Sequence, residues 1–335
     1  MRLHAPVLRS GLALLLLALC GCAAGPQRDG PGDWTAGPEA GARPPGERPV
    51  PLGLTLLHVF ENERSAPYFP IEGIGGVAFY GDGTLYFCDE KGGRVHGHDP
   101  ADGAWFQFDN PGSRFFRPVD VRIDQFTVLV LDMDGRDLLR YELGGVFLDR
   151  LIDFTYIDPG YDRMASAFDV DLDGGMVFTD AAEDQVLVVD AYLDLQQTVG
   201  VPGSHPEQFS EPSGAVFLRD GSFVIADRGN RRLQHFTRLG YHQRTVGGEF
   251  DPDNRFLTPQ GMATDAEGNL FVADPAGGMV HVLSPELDYL FGAGSGLGLH
   301  AAPVAPIDVA VGPDDQLAVS DRGRQAVLVY RIRYE

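Results

Sequence analysis

The chain has 335 residues, with 26 Lys and Arg against 48 Asp and Glu, a formal charge of −22, and 44% hydrophobic residues. That length holds one large domain or two ordinary ones with a sizeable core, and the apolar content excludes disorder throughout. The acidic balance argues against direct nucleic-acid binding and against electrostatic attachment to anionic lipid, both of which need a basic surface.

The first element is a leader. Arg2 and Arg9 precede a short apolar run, Gly11 to Leu19, which is too short to span a bilayer and reads as a signal peptide over residues 1–21. Leu19-Cys20-Gly21-Cys22 resembles a bacterial lipobox, with Cys22 as the acylated residue. Cys20 in that role would put the bulky Leu19 where signal peptidase prefers a small residue. Cleavage removes Arg2 and Arg9 and takes the formal charge from −22 to −24. Ala23 follows, with no Asp, which by resemblance to lipoprotein sorting implies the outer membrane of a two-membrane bacterium, its periplasmic or outward side left open. Residues 22–52 are rich in Gly, Pro and Ala and read as a lipid-anchored flexible tether. Cys88 is then the last cysteine, so the folded domain has no internal disulfide, and its apolar run Leu85-Tyr86-Phe87-Cys88 reads as a buried strand.

The remainder, residues 53–335, is a repeat. An apolar run ending in aspartate recurs six times, at Asp89, Asp132, Asp180, Asp227, Asp274 and Asp321, with spacings of 43, 48, 47, 47 and 47. Gly83, Gly174, Gly221 and Gly268 lie six residues before the aspartate in four copies, where a tight hairpin needs φ > 0. In the second copy Phe126 replaces that glycine. A polar turn and another short apolar run follow each aspartate, and a fourth run then follows in the earlier units, such as Leu233 to Phe236 and then Thr245 to Gly247. No helical period occurs within the repeats. Four short strands per unit of roughly 40–50 residues predict an all-β chain, a six-bladed β-propeller of four-stranded blades. The sixth unit supplies three strands, up to Ala326–Ile332. The orphan strand at about 54–60 has the fourth-strand pattern and is predicted to pair with the C-terminal blade and close the ring.

Pro259 to Asp265, with Gly268 and Phe271-Val272-Ala273-Asp274, resembles the NHL repeat, as does Ile225-Ala226-Asp227-Arg228-Gly229-Asn230-Arg231-Arg232-Leu233-Gln234-His235-Phe236. The resemblance implies the propeller fold over about residues 54–335. It does not imply an activity, because this architecture hosts enzymes, scaffolds and binding modules alike.

Candidate chemistry is sparse. Asp169-Val170-Asp171-Leu172-Asp173-Gly174 with Asp180 mimics a calcium loop. The repeat register instead puts Asp171 in a hairpin and Asp180 at the far end of the outgoing strand, roughly 20 Å away. The six strand-end aspartates read as caps for backbone amides of the following turn. Asp120, Asp169 and Asp308 fall on innermost strands, where converging carboxylates could hold a hard cation such as Ca²⁺. The histidines fall on outer or third strands or in loops, which leaves no zinc set on the axis. The long inter-blade loops, Asp153 to Met164, Val201 to Pro212 and Gly247 to Pro259, carry Phe154, Tyr156, Tyr161, Glu207, Asp251 and Asp253 and form the expected binding face. Phe209 and Phe256 read as staples holding their loops to the blades.

These features favour a non-catalytic envelope lipoprotein, whose propeller binds a protein partner with a basic surface as a scaffold or assembly subunit. A lyase- or lactonase-like hydrolase using an axial divalent cation is the first alternative, and a small-ligand or glycan sensor the second.

Overall fold

The computed structural model describes residues 48–61, 70–108, 115–249, 251–294, 298 and 300–335. Cys22 and most of the tether lie outside them. The described residues contain strands, turns and loops and no helix.

Strand β1 is Pro51–Glu61. Blade one is β2 (Ile74–Phe79), β3 (Leu85–Asp89), β4 (Arg94–His98) and β5 (Trp105–Gln107). Blade two is β6 (Pro118–Asp124), β7 (Thr127–Asp132), β8 (Asp137–Glu142) and β9 (Phe147–Asp153). Blade three is β10 (Ala165–Val170), β11 (Met176–Asp180), β12 (Gln185–Val189) and β13 (Leu195–Val199). A short parallel pair, β14 (Val201–Pro202) and β15 (Gln208–Phe209), folds the next loop on itself. Blade four is β16 (Pro212–Phe217), β17 (Phe223–Asp227), β18 (Arg232–Phe236) and β19 (His242–Gly247). Blade five is β20 (Met262–Thr264), β21 (Leu270–Asp274), β22 (Met279–Leu283) and β23 (Tyr289–Ala293). The last strands are β24 (Pro306–Gly312), β25 (Gln316–Asp321) and β26 (Ala326–Tyr334).

Blade six has the order β1-β26-β25-β24, so the N-terminal strand supplies the outermost position and closes the ring. Its antiparallel register pairs Leu54 with Ile332 and Phe60 with Val327. The strand begins at Pro51, inside the stretch whose composition reads as tether.

Strand period explains the packing. In β3, Leu85 and Phe87 face blade six, while Tyr86 and Cys88 face blade two. In β25, Leu317 and Val319 face blade five, and Ala318 faces blade one. Six buried clusters therefore correspond to six seams, and a blade buries both faces only inside the ring.

Each first strand runs from one face of the ring, which carries the inter-blade loops, to the other, which carries the hairpins. Gly83, Gly174, Gly221 and Gly268 hold φ between 81° and 94° in the first hairpins. In blade two the left-handed position falls to Gln125, with φ 49°, and Phe126 projects beside it.

Candidate functional site

Each strand-end aspartate is buried and ties two segments together on the loop face. Asp89 Oδ1 accepts from the Glu72 and Gly73 amides of the incoming loop and from Gly92 in the following turn. Asp132 accepts from Phe116, Arg117 and Gly135, and Asp274 from Leu257, Thr258 and Gly277. Asp321 accepts from Val304, Ala305, Gly323 and Arg324. Asp227 accepts from Ser210, and Asp180 from Ala182 and Glu183. The aspartate thus fixes where the inter-blade loop enters the first strand as well as capping its own turn.

Their charged or polar partners differ from blade to blade. Arg232 Nε lies 2.7 Å from Asp227, on the same blade. Arg163, itself buried, reaches Asp180 at 3.5 Å from the preceding loop. His281 Nε2 lies 3.2 Å from Asp274, whose carboxyl is held below its ordinary range. Burial works against ionisation there. The His281 hydrogen bond and the amides from Leu257, Gly277 and Thr258 outweigh it.

The axis departs from the expected cation site. Asp120, Asp169 and Asp308 do approach one another, but around the guanidinium of Arg122. Arg122 Nη1 lies 2.7 Å from Asp120 Oδ1 and 3.1 Å from Asp308 Oδ2, and its Nε lies 3.9 Å from Asp169. The carboxylates also receive amides of neighbouring blades: Phe168 to Asp120 at 3.0 Å, Phe217 to Asp169 at 2.7 Å, and Val77 to Asp308 at 2.9 Å. Oxygens committed to a guanidinium and to amides do not fit Ca²⁺, which needs six to eight oxygens of its own. No group of three His, Cys, Asp or Glu suited to a metal occurs among the described residues.

All three acids lie on innermost strands, but at two different rungs. Asp120 pairs with Leu131 and Asp308 with Ser320, each one residue before a strand-end aspartate. Asp169 pairs with Val177, the rung that Arg122 occupies in blade two opposite Leu129. Burial pushes Asp120 upward and Asp169 up to about 6, against the opposing pull of Arg122. Glycines make room for this lattice. A Cβ on Gly261 would lie 2.6 Å from Asp308 Cα, and one on Gly76 would lie 2.7 Å from Asp120 Cα.

Above the lattice a funnel of about 420 Å³ opens on the loop face. Arg117, Arg228 and Arg322 line it with Glu90 and Glu211, while Ser166 and Ser213 lie in its wall. Arg322 pairs with Glu90 across the closing seam at 2.9 Å, and Arg228 Nε bonds Glu211 at 3.1 Å. Beside the funnel, a groove of about 920 Å³ runs between the 201–212 and 247–259 loops, lined by His205, Asn230, Arg231, Glu249 and Asp251.

The loop-face candidates divide. Phe154 is fully buried, 5.0 Å from Phe178, because it follows β9 directly and turns into the seam between blades two and three. It is therefore core and cannot touch a partner. Tyr156 is 77% exposed, and Tyr161 is exposed with Arg163 stacked on its ring at 4.5 Å. Glu207 and Asp253 are exposed, while Asp251 is half-buried and accepts from the Gly247 amide. Phe209 and Phe256 are buried against Phe236 and His281.

Three exposed side chains escaped the sequence reading: Phe116, Leu257 and Val304. All three occupy one repeat position, the residue whose amide binds the strand-end aspartate 16 or 17 residues later. That spacing was the available signal.

Residues 209–236, which run from β15 through β18, match the family model of the NHL repeat. A search of the curated proteins gives no match. Among solved structures, the chain is similar to a catalytically inactive virginiamycin B lyase from Staphylococcus aureus solved with quinupristin. The TM-score is 0.59 at 10% identity, covering 84% of this chain and 100% of that one. It is similar to a gluconolactonase from Xanthomonas campestris, with TM-score 0.61 at 15% identity over 87% and 99% of the two chains. It is also similar to a luciferin-regenerating enzyme, with TM-score 0.57 at 16% identity over 85% and 95%. These likenesses concern the fold. The chain is a six-bladed β-propeller that carries an NHL repeat in its fourth blade.

Proposed function

We propose that this propeller is a non-catalytic binding platform of the bacterial cell envelope, lipid-anchored through Cys22, that holds a protein partner against its loop face. The observation that carries the reading is Arg122, whose guanidinium takes the place among the axial acids that a catalytic cation would need. The exposed Phe116, Tyr156, Leu257 and Val304 support a contact surface. Glu207, Glu249 and Asp253 beside them favour a basic partner. Strand β1 starts on the hairpin face, opposite the loops, where the Glu335 amide bonds Val50 O.

The test is a mild-detergent pull-down of the full chain from its native membrane, with crosslinking and mass spectrometry. A stoichiometric envelope protein joined to the 153–164, 201–212 or 247–259 loops is expected. A clean monomer with no crosslinked partner would sink the proposal.

Catalysis is the second reading, favoured by the enzymes among the solved neighbours. It places the chemistry in the axial funnel, with the burial-raised Asp120 as proton carrier and Arg122 as anion holder. Turnover of a lactone or ester by the purified chain, lost in Asp120→Asn, would establish it. Equal inactivity of both proteins would remove it.

A further inference from the structure

The hairpin face holds a second feature, remote from the loops. Between blades three and four lies a groove of about 330 Å³, floored by Val188, Val189 and Phe217 and flanked by Leu239 and Tyr241. Leu239 and Tyr241 are both about two-thirds exposed, at 68% and 67%. The neighbouring hairpins add Leu172 and Tyr192, exposed at 94% and 86%. A Cβ on Gly174 would lie 3.5 Å from that of Ala191, which brings the two blade-three hairpins side by side. Gly240 lies so close to Gln197 and Val199 that a Cβ would collide with them, so the blade-four hairpin packs against blade three.

This arrangement is specific to its blades. Where blade three carries Leu172, the first hairpins of blades one, four and five carry Gly81, Arg219 and Ala266. Isolated exposed apolar residues are ordinary, whereas two lining one concave slot, with two more on the hairpins beside it, mark a contact.

Charge chooses the occupant. Arg238 is the one base lining the groove among the described residues, and it is engaged by Asp171 at 2.8 Å and Asp173 at 2.9 Å. Asp190 and Asp194 flank Tyr192. An apolar slot with an acidic rim repels anionic lipid and suits a cationic chain.

We infer that the groove between blades three and four receives a basic segment of another protein, which seats one large apolar side chain between Leu239, Tyr241 and the Phe217 floor. This site is separate from the loop face, so the propeller could bridge two proteins.

The test uses a random peptide library panned on the purified full chain, followed by synthesis of the most enriched peptide. Enriched sequences are expected to carry Lys or Arg around one aromatic or large aliphatic residue. Affinity should fall about tenfold or more in Leu239→Ala/Tyr241→Ala, as expected when an anchor pocket is lost. Asp194→Arg should also weaken it, while Phe116→Ser/Leu257→Ser/Val304→Ser should leave it unchanged. The exposed positions allow folding, which thermal melting of each variant checks. The inference is overturned by no enrichment, by peptides that bind the double variant equally, or by acidic peptides. Dimerisation abolished by the double variant would overturn it in favour of a second copy. Binding to phosphatidylglycerol vesicles lost in the same variant would overturn it in favour of a membrane.

Discussion

Asp308, on the innermost strand of blade six, accepts the Val77 amide of blade one at 2.9 Å, and the same Oδ2 lies 3.1 Å from Arg122 of blade two. One carboxylate thus joins three consecutive blades across the seam where the chain closes on itself. The axis is a fastening, and each element of it has a measurable consequence.

Arg122→Met leaves buried carboxylates without their cation. Its expected cost is about 3–5 kcal/mol of unfolding free energy at neutral pH, the range for breaking a buried pair. The deficit should shrink on acidification. Asp120 and Asp169 are already raised by burial, and loss of Arg122 raises them further. A folded pKa above the unfolded value gives stability that is full below the unfolded pKa and is lost as pH rises through the folded one. Urea denaturation at pH 7 and pH 5 should therefore show a smaller deficit at pH 5.

Gly261→Ala brings a methyl group to 2.6 Å from Asp308 Cα, backbone that a side-chain rotation cannot relieve. A loss of about 1–3 kcal/mol is expected, as for overpacking. Gly81→Ala, in a hairpin where a Cβ meets nothing within 4 Å, is the control and should change little.

Asp321→Ala removes the acceptor for four amides at once. Each orphaned buried donor costs about 1–3 kcal/mol, reduced where water reaches it. Asp321→Asn keeps one acceptor oxygen and should retain more of the stability. Hydrogen exchange at Val304, Ala305 and Gly323 should rise in the Ala variant first.

His96 sets an acid limit of opposite sign to the axial carboxylates. Burial lowers it from 6.5 to about 4, with its ring stacked on Phe87. A depressed histidine contributes stability above the unfolded pKa, and that stability is lost as pH falls from about 6.5 towards 4. The difference in stability between wild type and His96→Gln should narrow over that window. A difference independent of pH would contradict the assignment.

The ring was readable because its signals are local. Strand-end aspartates at spacings of 43 to 48, and in four copies a hairpin glycine six residues earlier, define a blade before any contact is known. The axial acids were readable as residues of innermost strands, yet Arg122 gives them another meaning. It lies two residues after Asp120 on the same strand, and period two puts both side chains on one side. Phe154 misled because an aromatic at the start of a long loop looks exposed, whereas a residue directly after a strand continues its inward alternation. The tilted ring contacts of Phe60 with His58 and His98 join the N-terminal strand to blade one, a pairing that only closure creates.

The proposed partner sits on the loop face, and Leu257 lies within it. The most direct measurement places a photo-crosslinking amino acid at Leu257 in cells, with exposed Gln243 on an outermost strand as control. One dominant, stoichiometric protein adduct from position 257 and none from 243 is the expected result. No adduct from 257, or the same adducts from both positions, would contradict the account.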